Sequence, residues 1–198
     1  MRITRSFSAA VFVLASLLLG GPGAAGGPPI AYVFEHADRW TDEPGEGAAF
    51  LEQAGFDVRS LPLDRSPFGL RGLIYFGSFT SESAEYVAYM QTWGADLKNF
   101  IDDTNVLVHM TQADQTEPIP PFLPTTHYAV RDDTDGNVVH VLTDNPLLDG
   151  IPMTGGLLEM AGPRVVWEAF REQDGFEVML SLDPDYAHPA VMEGAYGQ

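Results

Sequence analysis

The hydrophobic positions of this chain follow two rhythms. Ile30-Ala31-Tyr32-Val33-Phe34, Leu73-Ile74-Tyr75-Phe76 and Val106-Leu107-Val108-His109-Met110 are short, almost unbroken apolar runs rich in strand-forming residues. Such runs predict strands buried on both faces. Phe56-Asp57-Val58-Arg59-Ser60-Leu61 alternates and predicts a further strand.

The second rhythm is helical. Thr41-Asp42-Glu43-Pro44 carries a capping hydroxyl or carboxylate, acids for a first turn and an early proline, after which Ala48, Leu51 and Ala54 share one face and Gly55 closes the helix. Ser81 is the expected cap of a longer helix, in which Tyr86, Met90, Trp93, Leu97 and Phe100/Ile101 recur at spacings of four, three, four and three. That stripe reads as core packing. Asn105 ends it. The order strand, helix, strand, strand, helix, strand predicts a mostly parallel sheet with helices on both faces.

Beyond Met110 the pattern is less regular. Pro118-Ile119-Pro120-Pro121-Phe122-Leu123-Pro124 suits an ordered loop, since proline neither donates to a ladder nor sits inside a helix. Tyr128–Arg131 and Val138–Leu142 flank Asp132-Asp133-Thr134-Asp135-Gly136-Asn137 and predict an inserted β-hairpin. Val165–Phe170 and Phe176–Leu182 predict a second strand pair around Asp174-Gly175. Ala190-Val191-Met192-Glu193-Gly194-Ala195-Tyr196 reads as a strand entering a glycine turn, so the chain is expected to be truncated at its C-terminus.

The first residues change the picture. Met1-Arg2-Ile3-Thr4-Arg5 is basic, Phe7–Leu19 is apolar, and Gly20-Gly21-Pro22-Gly23-Ala24-Ala25-Gly26 is built of small residues and one proline. These are the parts of a signal peptide, with cleavage expected after Ala25 or, alternatively, Ala24. The apolar run falls short of the ~20 residues that cross a bilayer, and an uncleaved anchor is the competing reading. With no cysteine anywhere, acylation as a lipoprotein is excluded, and so is any disulfide framework. The expected organisation is a signal peptide over 1–25, a Gly/Pro spacer over 26–29 and one α/β domain over 30–198. Secretion or delivery to the periplasm follows, with no membrane association after cleavage.

Charge removes further classes. The net charge is −18, and becomes −20 once Arg2 and Arg5 are removed. Such a surface repels nucleic acid and anionic lipid. The acidic residues are scattered, and 45% hydrophobic content argues for a packed core over disorder.

In a parallel sheet, ligands collect beyond the carboxyl ends of the strands. Three segments are expected to meet there: Glu35-His36-Ala37-Asp38, Gly77-Ser78-Phe79-Thr80, and His109-Met110-Thr111-Gln112-Ala113-Asp114-Gln115. Together with the element order, Asp144-Asn145-Pro146-Leu147-Leu148-Asp149-Gly150-Ile151-Pro152 and Pro189-Ala190-Val191-Met192-Glu193-Gly194-Ala195-Tyr196-Gly197 make the chain resemble the class I glutamine amidotransferase-like superfamily. Within it, the secreted, trehalose-utilisation-protein-like branch is the nearest in character. The resemblance implies a flavodoxin-like three-layer sandwich, and a carbohydrate or partner domain as the ligand.

Active members of that superfamily carry a cysteine in a Gly-x-Cys-x-Gly-x-Gln turn, where backbone N–H groups lower the thiol's pKa and form an oxyanion hole. In the corresponding stretch Gln115 matches the last position, Thr111 stands for the cysteine, and His109 and Ala113 replace the glycines. A threonine hydroxyl is a poor nucleophile without an activating base. The family's downstream His-x-Glu pair is also missing at His188-Pro189-Ala190. The resemblance therefore implies a pseudoenzyme.

Two function classes follow. The first is a non-catalytic domain holding a small polar or carbohydrate ligand, or another domain of a longer chain, through Glu35, His36, Trp40, Ser78, Thr111, Gln112 and Gln115. The second is a hydrolase of saccharides or other small polar substrates, with Thr111, His109 and Asp114 as catalytic candidates beside His36 and Asp38. Glu35 and Asp114 could also serve as paired carboxylates for glycoside hydrolysis if ~5–10 Å apart. No cofactor or metal is expected. Asp133-Thr134-Asp135-Gly136-Asn137 reads as a tight turn, because a calcium loop would need acids where Arg131 and Leu142 stand.

Overall fold

The computed structural model describes residues 27–36, 45–77, 80, 83–102, 105–110, 129–132, 138–144, 148, 151–159, 167–170, 176–184 and 189–194. Its first half is a four-stranded, wholly parallel sheet of β1 (Ile30–Phe34), β2 (Asp57–Ser60), β3 (Leu73–Phe76) and β4 (Val106–His109), in the order β2-β1-β3-β4. Two helices, α1 (Glu46–Gln53) and α2 (Ala84–Asp102), intervene.

The apolar strands carry hydrophobic side chains on both faces, and each face has its own core. Ile74, Phe76 and Tyr32 pack with Tyr86, Tyr89, Met90, Leu97 and Phe100 of α2. The alternate strand residues Ala31, Val33, Leu73 and Tyr75 pack with Leu51 and Phe56, with Ala48 and Val108 beside them. A helix therefore covers each face, as the strand composition predicts. The stripe on α2 is core: Tyr86, Met90, Leu97 and Phe100 are buried, and Trp93 and Ile101 pack partly against them. Each such side chain contributes about 1.5–3 kcal/mol by leaving water.

The helix ends differ in part from expectation. Gly55 does close α1, with φ of 93°. Its N–H donates to Glu52 O and that of Phe56 to Leu51 O, the paired bonds of a glycine-terminated helix end. Residues 41–44 lie outside the described residues. The helix is described from Gly45, which offers no side-chain cap. At the other helix Ser83 is the cap, in place of Ser81. Its Oγ accepts the Tyr86 N–H at 3.1 Å and donates to Thr80 O at 2.8 Å. Both serines precede acidic or helix-forming residues, so local pattern does not separate them; the buried hydroxyl that meets the third helical N–H does.

Asn105 terminates α2 by bridging. Its side-chain amide donates to Phe100 O at 2.9 Å, and its Oδ1 accepts the Gly72 N–H at 2.9 Å, which ties the helix end to the start of β3. Gly72 has φ of 120°, and a Cβ there would collide with Ile30 O.

The second half departs from expectation. β5 (Ala129–Asp132) does not form a hairpin with β6 (Val138–Val141) but pairs with β8 (Trp167–Phe170). Nor does β8 pair with β9 (Glu177–Ser181): β9 lies between β6 and β10 (Pro189–Glu193). The result is a separate antiparallel sheet, β10-β9-β6-β7, with β7 at Leu157–Glu159. Val139, Leu158, Met179, Leu180 and Leu148 form its core. Turn-forming residues between two strands favour a hairpin only locally, and burial of this apolar set holds β6, β7, β9 and β10 together instead. A hairpin absent from the expectations does occur: Gly155 and Gly156 have φ of 61° and 78°, and Thr154 and Leu157 exchange backbone hydrogen bonds across them. No helix among the described residues is long and apolar enough to cross a membrane.

Candidate functional site

Because β1, β3 and β4 are parallel, their carboxyl ends share one edge. Register aligns Phe34 with Phe76 and Phe76 with His109 in one row. One residue further, the Gly77 N–H donates to Phe34 O and the Met110 N–H to Phe76 O, both at 3.0 Å. Successive residues of a strand point to opposite faces, so this edge sends His109 toward α2 and Glu35 toward α1.

On the α2 side, the His109 ring lies 5.7 Å from the centroids of both Phe76 and Tyr86. Its Nε2 is 2.7 Å from the Tyr86 hydroxyl, and the two share a hydrogen bond. Burial pushes the imidazole down to about 4, because a charged ring there forfeits its hydration. At neutral pH His109 is therefore an uncharged partner of Tyr86. Three residues along the same helix, burial raises the Tyr89 phenol, with Asp96 adding to the effect. The Tyr89 hydroxyl has no hydrogen-bond partner among the described residues.

On the α1 side, Glu35 reaches the partly buried start of the helix. Its Oε1 accepts the Gly47 N–H at 2.7 Å and its Oε2 the Ala48 N–H at 3.4 Å. The first N–H groups of a helix have no partner within it and carry partial positive charge. A carboxylate twelve residues upstream thus does what a local cap would do. Two glycines make the room. A Cβ on Gly47 would collide with Glu35 Oε1 and the Tyr75 ring, and one on Gly77 would sit 2.8 Å from Glu35 Cγ.

Of the residues expected at this edge, Glu35, His36 and His109 are described; Trp40, Ser78, Thr111, Gln112, Asp114 and Gln115 lie outside the described residues, as does Asp38. His36 is exposed. Glu35 and His109 reach the same edge but are parted by the sheet. No cluster of three His, Asp or Glu residues that could hold a metal ion occurs among the described residues. Comparison with known proteins gives no matching family model, no matching curated sequence and no matching solved structure.

Three contributors escape the sequence reading. Tyr86 is legible as a stripe residue, yet spacing does not say that its hydroxyl meets His109. Gly47 and Tyr75 form the walls around Glu35. The run Gly45-Glu46-Gly47-Ala48-Ala49 is the one available signal, since small residues in a first helical turn permit close approach.

Proposed function

We propose that this chain is an exported, non-catalytic binding domain with a class I glutamine amidotransferase-like, flavodoxin-like core. Its ligand is a small polar molecule or carbohydrate, or a partner domain, held beyond the carboxyl edge of the parallel sheet. The strand order β2-β1-β3-β4 with a helix on each face supports this core. It matches the start of the flavodoxin-like order, whose ligands lie where the order reverses, between β1 and β3.

The observation that carries the non-catalytic reading is how Glu35 and His109, two of the candidate side chains described at that edge, are used. Glu35 is bonded to the amides of α1, and His109 is a neutral, aromatic-packed partner of Tyr86. A general base works best with a pKa near the working pH and with access to its substrate. His109 is displaced from that range, and no cysteine exists to replace it as nucleophile. The basic, apolar and small-residue sections of the N-terminus support export.

The test uses the protein lacking residues 1–25. Thermal shift against a panel of neutral mono- and disaccharides is read beside hydrolysis of chromogenic glycosides and esters. Saturable stabilisation with no turnover is the expected result. Turnover that disappears in His109→Gln or Asp114→Asn, with folding intact, would establish the hydrolase instead.

A further inference from the structure

We draw no further inference here: the strongest candidate, the half-buried apolar edge that Val106, Leu107 and Val108 of β4 give the parallel sheet, carries nothing because nothing among the described residues shows what covers it.

Discussion

Acid should destabilise this protein through His109 in a way that one substitution removes. The imidazole packs against both Phe76 and Tyr86, and burial depresses it from 6.5 to about 4 in the folded chain. In the unfolded chain the ring is solvated and titrates near 6.5. Between those two values the unfolded state binds the proton and the folded state does not, so stability must fall as pH falls. The contribution is fully present above about pH 6.5, is lost progressively down to about pH 4, and is then flat. At 1.36 kcal/mol per pH unit, the gap between 6.5 and about 4 amounts to about 3 kcal/mol. That is a large fraction of the 5–15 kcal/mol typical of a folded domain. Many carboxylates titrate in the same range, so the informative quantity is the difference between this protein and His109→Gln, which cannot take up the proton. Denaturant unfolding at half-unit steps from pH 7.5 to 4 should give a steeper loss for the unaltered protein, by about 3 kcal/mol over the window. Proton NMR of the five histidines gives a direct check, since one ring should titrate near 4. Equal slopes for the two proteins, or a His109 that titrates at 6–7, would refute the burial argument.

Other consequences are simpler to measure. Gly72→Ala forces a side chain onto a backbone with φ of 120° and against Ile30 O, and should cost about 3 kcal/mol in denaturant unfolding. Ser83→Ala removes the cap of α2 and should cost about 1 kcal/mol, whereas Ser81→Ala should cost less than half of that; equal losses would contradict the cap assignment. Expressed in a secreting host, the full chain should mature with Gly26 at its N-terminus, or Ala25 if cleavage follows Ala24. Intact-mass spectrometry of the exported material reads this directly.

The sequence by itself determined the first half of the molecule. Apolar runs at 30–34, 73–76 and 106–109 can only be satisfied by burial on both faces, and the stripe from Tyr86 to Ile101 can only face a core. Those are local patterns with local consequences: strand, helix, closing glycine. Tertiary structure decided the rest. The partner of β5 is β8, some forty residues away, and β9 lies between β6 and β10, where the apolar faces of this sheet are buried together, so the nearest turn does not choose the partner. It likewise decided the meaning of the edge. From sequence, Glu35 and His109 are two polar residues after two parallel strands. Only the alternation of side chains across the folded sheet separates them: one becomes the cap of α1, and the other the buried, neutral partner of Tyr86.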